Sequence, residues 1–139
     1  MGESPRTRVI VTDVSDADIV RRIGHQLVDV EFLLGKEAFM TNEYELCNDR
    51  VRELRDFKIL FYREDVECSV DRFWRHRLAA ANPQGETLCL PQPRPRSEIE
   101  QSAERAKAVH KALLAKFPTQ RKQLDDNLKL ELYRLIQLN

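Results

Sequence analysis

The chain has few glycines and no long apolar run. Only four of its 139 residues are glycine, which argues against an all-β fold with many tight turns and against glycine-rich phosphate loops. No apolar stretch approaches the roughly 20 residues that a membrane span requires, and the amino terminus lacks the apolar segment of a secretory signal. We therefore expect an intracellular protein with no membrane partner. The cytoplasm is the expected compartment, a cytoskeletal or nuclear assembly is an alternative, and mitochondria are less favoured.

Cysteine and histidine are also scarce, with three residues of each. Cys47, Cys68 and Cys89 are an odd number and form no close pair, which argues against a disulfide framework and against a zinc site. The histidines are not adjacent to one another, so a metal site would need carboxylates from elsewhere in the chain. The sequence predicts no metal and no cofactor.

No catalytic signature is present. Neighbouring carboxylates occur in pairs such as Asp16 and Asp18, Glu64 and Asp65, and Asp125 and Asp126. Acidic residues are common at helix starts and in exposed turns, so these pairs do not by themselves indicate acid–base chemistry. Cys47 lies on an apolar stripe and is expected to pack rather than to act as a nucleophile. We expect no enzymatic activity and no small-molecule substrate.

Charge is abundant and unevenly distributed. Charged residues make up 33% of the chain, and 23 basic residues balance 23 acidic ones. Residues 1–71 hold 10 Lys and Arg against 16 Asp and Glu, whereas residues 72–139 hold 13 against 7, so the halves carry −6 and +6. The two halves are expected to attract each other within one molecule or between molecules.

Apolar residues recur at steps of three and four, the spacing of amphipathic helices and of coiled coils. Ser15 is a candidate amino-terminal cap for a first helix, whose apolar face is Ile19, Ile23, Leu27, Val30 and Leu34. A second helix is expected from about Thr41 into the low sixties, and Lys58 is the only polar member of its face, which consists of Tyr44, Cys47, Val51, Leu54, Lys58 and Phe61. The predicted fold class is therefore mainly α.

Two segments also have strand character. Residues 8–14 are a β-branched run, and residues 57–62 are rich in aromatic and β-branched side chains. Periodicity does not distinguish a buried strand from a buried helix in so short an apolar run. Short strands are expected near residues 8–14 and 57–62, with helix as the alternative for the second segment.

Prolines divide the chain. Residues 1–90 are expected to form a small, mostly helical domain with α+β as an alternative, and residues 91–96, rich in Pro and Arg, a linker. Ser97 and Glu100 form a capping box that opens a helix. Pro118 should end that helix and let another begin near Thr119. Residues 97–139 are therefore expected to be a helical pair.

Two surfaces are candidate binding sites. The terminal helix carries an apolar stripe, expected to be a protein interface; its members are Leu124, Leu128, Leu132, Leu135 and Ile136. The segment at 72–77 mixes arginine and aromatic residues, as single-stranded nucleic-acid binders do. Its candidate contacts, with two from the linker, are Arg72, Trp74, Arg75, Arg77, Arg94 and Arg96.

The sequence thus favours a non-catalytic structural or adaptor subunit of a larger intracellular assembly. Its partners would be other proteins or further copies of the same chain, bound through helical interfaces. The alternative is an RNA-associated protein of a ribonucleoprotein particle, which would bind phosphates through the Arg and aromatic segment.

Overall fold

A parallel β-sheet forms the centre of the protein. The computed structural model describes residues 6–33, 44–91 and 97–138. Its strands are β1 (Thr7–Val11), β2 (Val28–Phe32), β3 (Ile59–Tyr62) and β4 (Glu86–Cys89). Its helices are α1 (Val14–Gly24), α2 (Tyr44–Leu54), α3 (Ser69–Ala81), α4 (Glu98–Lys116) and α5 (Arg121–Gln137), with 3-10 turns at His25–Leu27 and Pro118–Gln120.

Within the described residues the strand order is β2-β1-β3-β4, and every neighbouring pair is parallel. Val9 of β1 lies opposite Val30 on one side and Ile59 on the other. The predicted mainly α fold class is therefore wrong, because the architecture is α/β with a parallel sheet. β1 and β3 contain short apolar runs without alternation, and periodicity alone does not distinguish such a run from buried helix.

Helices cover both faces of this sheet. Val9 and Val11 point to one face and pack with residues of α1, α4 and α5. Ile10 and Leu60 point to the other face and pack with α2 and α3, including Trp74. This alternation follows from the two-residue period of a strand. Three layers result, with a separate apolar core on each side of the sheet.

The first helix is shorter than its apolar stripe predicts. The expectation of helix as far as Leu34 is wrong, because α1 ends at Gly24 and Val28–Phe32 is a strand. His25 has a φ of 46°, which breaks the helical path. A Cβ on Gly24 would lie 2.7 Å from Cγ2 of Val28 and 3.3 Å from Cδ1 of Leu113, so the turn into β2 requires glycine at this close approach.

The second helix is also shorter than predicted, since α2 ends at Leu54 and does not continue into the low sixties. Residues 41–43 of that prediction lie outside the described residues. The backbone N–H of Lys58 donates to the carbonyl of Arg8 at 3.0 Å, which joins this segment to β1 before β3 begins. Strands near residues 8–14 and 57–62 are confirmed as β1 and β3.

The carboxyl-terminal helices follow their sequence signals. The Ser97 hydroxyl accepts a hydrogen bond from the backbone N–H of Glu100 at 3.2 Å, which confirms the cap. Helix α4 ends at Lys116, just before Pro118. Residues 92–96 of the predicted linker lie outside the described residues. No helix in the described ranges is both long and apolar enough to cross a membrane.

Candidate functional site

A charged cluster lies where β1 and β3 end. The chain leaves β1 into residues 12–16 and leaves β3 into residues 63–65, so both segments lie at the carboxyl edge of the sheet. Open α/β sheets bind their ligands at this edge. We call the following residues the edge cluster: Asp13, Ser15, Asp16, Arg63, Asp65 and Arg105.

Arg63 is the centre of the edge cluster. Its Nη1 lies 3.4 Å from Oδ2 of Asp13 and 3.9 Å from Oδ1 of Asp16. The same Nη1 is 3.5 Å from the Ser15 hydroxyl, and Nη2 is 3.1 Å from Oδ2 of Asp65. One guanidinium thus meets three carboxylates and a hydroxyl. The Arg63 side chain is only 10% exposed, so water screens these contacts little.

Arg105 brings a second guanidinium to the cluster from α4. Its Nε lies 3.2 Å from Oδ1 of Asp16, and its Nη2 donates to the Ser102 hydroxyl at 3.2 Å. The side chain is 7% exposed, and neither Nε nor Nη1 makes a hydrogen bond. Burial lowers the pKa of Arg105, and the charge of Arg63 lowers it further. The contact with Asp16 partly offsets both effects.

Asp16 is the most buried carboxylate of the cluster. It lies in the first turn of α1, is 0% exposed, and neither of its carboxylate oxygens accepts a hydrogen bond. Burial raises the pKa of Asp16 to about 6, although Arg63 and Arg105 oppose the shift. With all groups ionised, three carboxylates and two guanidiniums leave the cluster with one negative charge.

A second buried ion pair lies in the part of the chain that follows β3. Arg75 of α3 donates to both oxygens of Glu67, at 2.6 and 2.9 Å, and its guanidinium lies 3.7 Å from the centre of the Tyr62 ring. The Glu67 side chain is fully buried, and the hydrogen bond to it raises the pKa of Arg75. Arg75 is therefore fixed inside the protein.

The described members of the predicted nucleic-acid segment lie in different surroundings. Arg72 is half-exposed and contacts Glu67 at 3.5 Å, while Trp74 is buried against the sheet. Arg77 lies 5.4 Å from the Trp74 ring centre, and Phe73, rather than Trp74, is the exposed aromatic residue. Arg94 and Arg96 lie outside the described residues.

The terminal leucine stripe is mostly internal. Leu124 and Leu135 are buried in the chain's own structure, and Leu128 packs against the same core as β1 and α1. Leu132 is partly buried, and Ile136 is exposed.

Metal-binding side chains do not cluster in the described parts of the chain. No group of three or more His, Cys, Asp or Glu residues there could hold a metal ion. His110 and Asp125 form a pair, with Nε2 2.7 Å from Oδ1, but no third ligand joins them. Cys47 is buried, and burial raises the pKa of its thiol, which keeps it protonated and unreactive.

Comparison with known proteins identifies the fold through solved structures alone. No protein-family model matches the chain, and no curated protein matches it. The structure of ZnuA superposes with a TM-score of 0.75 at 19% identity and covers 96% of this chain. Zn(II)-bound AdcA from Streptococcus pneumoniae gives a TM-score of 0.69 at 15% identity and covers 96% of this chain. A Mn-bound periplasmic metal-binding protein from candidatus liberibacter asiaticus gives a TM-score of 0.71 at 14% identity and covers 93% of this chain.

The chain is shorter than these neighbours. It spans 56% of ZnuA, 53% of the liberibacter protein and 31% of AdcA. At these identities the likeness establishes the fold, which is that of metal-binding proteins of the ZnuA type.

This fold overturns several expectations. The structural or adaptor subunit, the RNA-associated alternative and the coiled coil are wrong, because solved structures with this fold are described as metal-bound or metal-binding proteins. The expected partners, which were other proteins, further copies of the chain or RNA, are also wrong. The expectation that no small-molecule substrate binds is wrong as well, since neighbours hold Zn(II) or Mn. The intracellular location is wrong too, because a neighbour with this fold is described as periplasmic. The helical spacing of apolar residues indicates which faces are buried, but it does not indicate the ligand or the compartment.

In the sequence Asp16 and Asp65 were recognisable as members of carboxylate pairs, and no binding role was assigned to Asp13 or Arg63. A usable signal was present at the ends of the strands. Asp13 and Arg63 follow two apolar β-branched or aromatic runs within two residues. In a parallel sheet both would be expected at the carboxyl edge.

Proposed function

We propose that the chain is a non-catalytic solute-binding domain of a transport system, acting outside the cytoplasm. The solute would bind at the carboxyl edge of the sheet, beside the edge cluster. The observation that carries this proposal is the position of that cluster: it lies at the ligand-binding edge of an α/β sheet. The fold itself matches that of ZnuA and of Zn(II)-bound AdcA along 96% of the chain.

The accessible part of the edge cluster favours a solute with hydrogen-bond donors or a positive charge. Asp13 and Asp65 are partly exposed, whereas the guanidinium of Arg63 is buried against them and that of Arg105 is buried against Asp16. A solute approaching from water would therefore meet carboxylate oxygens first. Because the cluster carries one net negative charge when ionised, a small amine or other cationic solute would be attracted to it.

A bare metal ion fits the described part of this edge poorly. Zinc prefers nitrogen and sulfur ligands, and the edge cluster has neither histidine nor cysteine. Manganese accepts oxygen ligands, but Arg63 lies among the three carboxylates of the edge cluster, and these carboxylates do not form a group that could hold an ion. The metals held by the fold neighbours are therefore test solutes, and the solute class proposed for this chain is a small donor-bearing molecule.

A thermal-shift screen of the purified chain tests the proposal. The panel contains small amines, small carboxylates, MnCl2 and ZnCl2 at millimolar concentration. We expect at least one amine to raise Tm by about 2 °C or more, because a solute that binds only the folded state stabilises it. Asp13→Asn and Asp65→Asn should each reduce that shift. Asp56→Asn, which changes an exposed carboxylate paired with Arg8 at 2.7 Å, should leave the shift unchanged.

A flat response to the whole panel would contradict the proposed function. So would a solute whose shift is the same in the Asp13→Asn and Asp65→Asn variants as in the unchanged chain, since binding would then lie elsewhere.

A further inference from the structure

The edge cluster holds an odd number of charges. Three carboxylates, from Asp13, Asp16 and Asp65, meet two guanidiniums, from Arg63 and Arg105. Arginine keeps its positive charge throughout the pH range of folded proteins. When all three carboxylates are ionised, one negative charge therefore has no matching positive charge. Either a proton or a bound cation can supply it.

Burial selects the carboxylate that takes the proton. The side chains of Asp13 and Asp65 are 30% and 26% exposed, so water stabilises their charged forms. Asp16 is 0% exposed, and its Oδ1 lies 3.9 Å from Nη1 of Arg63 and 3.2 Å from Nε of Arg105. Loss of hydration raises the pKa of Asp16 to about 6. Asp16 is therefore the proton-binding member of the edge cluster.

The charged groups that act on Asp16, among the described residues, come from three parts of the chain. Asp13 precedes α1, Arg63 and Asp65 follow β3, and Arg105 lies on α4. The two arginines lower the pKa of Asp16, and the two carboxylates raise it. Because the arginines do not titrate, the charge of this group changes only through its carboxylates, of which Asp16 is the buried one.

We infer that a cationic solute and a proton compete for the edge cluster, so that binding of the solute releases a proton from Asp16. The inference deepens the proposed function and rests on it for the solute and its location. The solute meets the partly exposed Asp13 and Asp65, and it acts on Asp16 through its charge. The O–H bond of Asp16 breaks, the electron pair stays on the carboxylate, and the proton passes to water. The cluster is neutral with either occupant.

This competition sets the sign of a pH dependence. Above about pH 6 the ionised cluster has one negative charge and attracts a cation. Below that pH the proton on Asp16 has already neutralised the cluster, so the attraction is weaker. The affinity for the solute should therefore fall as the pH falls. Such a domain would bind its solute in a neutral medium and release it in an acidic one.

Calorimetric titration of the whole chain with ethanolamine and propylamine tests the inference. The best amine of the solute screen is added where it differs from these two. Alkylammonium groups stay charged between pH 5 and 7.5, since they titrate near the pKa of lysine. We expect the affinity at pH 5 to be about five- to tenfold lower than at pH 7.5. At pH 5.5, two buffers with different heats of ionisation should reveal release of about half a proton per solute bound.

Two variants separate Asp16 from other buried carboxylates. Asp16→Asn leaves two carboxylates with two guanidiniums, so its affinity at pH 7.5 should match that of the unchanged chain at pH 5 and vary little between them. Glu131→Gln is the matched control. Glu131 is also buried between two arginines, Arg22 at 3.3 Å and Arg134 at 2.9 Å, but Arg22 lies in the last turn of α1 and Asp16 in the first. This control should keep the full pH dependence.

Three outcomes would overturn the inference and leave the proposed function in place. One is an amine affinity of the unchanged chain that is equal at pH 5 and 7.5, and another is a heat of binding that does not depend on the buffer. The third is full pH dependence in Asp16→Asn, since another group would then bind the proton. The first two need no variant, so they apply even where Asp16→Asn does not fold. Absence of binding by every amine at pH 7.5 would overturn both the proposed function and this inference.

Discussion

At the scale of single residues, Asp16 has the most unusual environment. It is a buried carboxylate whose charged form is disfavoured by lost hydration and favoured by two arginines. Desolvation is the larger effect, since the pKa is raised from 3.8 to about 6. A raised pKa means that the folded chain binds a proton more tightly than the unfolded chain does. Folding stability should therefore depend on pH through this residue.

The sign of that dependence is opposite to that of most paired carboxylates. Between pH 3.8 and about 6 the unfolded chain loses the Asp16 proton while the folded chain keeps it. The Asp16 contribution to stability is thus greatest below pH 3.8 and falls as pH rises through about 6. Relative to Asp16→Asn, the unchanged chain should lose up to about 3 kcal/mol over this window.

Urea unfolding of both proteins at several pH values between 4 and 7 measures the difference. Other titrating groups contribute to each curve, but they cancel when the two are subtracted. A difference between the two free energies of unfolding that is constant with pH would show that Asp16 has an ordinary pKa.

The sequence is least informative about the individual residues of the edge cluster. Asp16 and Asp65 were recognisable as carboxylates near element ends, yet their burial depends on partners from distant parts of the chain. Arg105 lies on a helix that follows all four strands. Nothing in its local pattern distinguishes it from the other arginines. The contact of α4 with α1 must be known before Arg105 can be assigned to the edge cluster.

At the scale of elements, local signals identified some ends of helices and failed at others. The Ser97 cap and the Pro118 break lie where side-chain chemistry acts on adjacent backbone, and both were predictable. The end of α1 was not, because it depends on the packing of Gly24 against Val28 and Leu113. β2 was read as helix because Leu27, Val30 and Leu34 continue the three- and four-residue spacing of the apolar residues in α1.

Gly24→Ala tests the close approach that ends α1. The added methyl group would lie 2.7 Å from Cγ2 of Val28, so either the side chain or β2 must shift. We expect a loss of about 1 to 3 kcal/mol in the free energy of unfolding, measured with urea. Val28→Ala should relieve the clash. The double variant should therefore be more stable than the sum of the two single losses predicts. Strict additivity would rule out this clash as the cause.

At the scale of the whole molecule, the opposite charges of the two halves are partly matched inside the chain. Glu67 pairs with Arg72 and Arg75, and Asp16 pairs with Arg105. Each of these pairs joins an acidic residue of the first half to an arginine of the second. The charge asymmetry predicted such attraction, but the fold class could not be derived from it. Net charge bears on association and solubility rather than on architecture.

A second question about the whole molecule is whether the carboxyl-terminal helices fold together with the sheet. Leu124 of α5 is fully buried in the core cluster that contains Val9 and Val11 of β1. If this core unfolds as one unit, Leu124→Ala should lower the free energy of unfolding by about 2 to 5 kcal/mol. Leu130→Ala, at a 66% exposed position of the same helix, should change it by less than about 0.5 kcal/mol.

Two spectroscopic probes, one local and one global, make the measurement decisive. Trp74 of α3 is the only tryptophan and packs on the face away from α5, so its fluorescence reports a distant region. Far-ultraviolet circular dichroism reports all the helices. In the Leu124→Ala variant both signals should shift together to lower urea, since a two-state unit loses its structure at once. A circular-dichroism transition that precedes an unchanged Trp74 transition would instead mean that α4 and α5 unfold independently of the sheet.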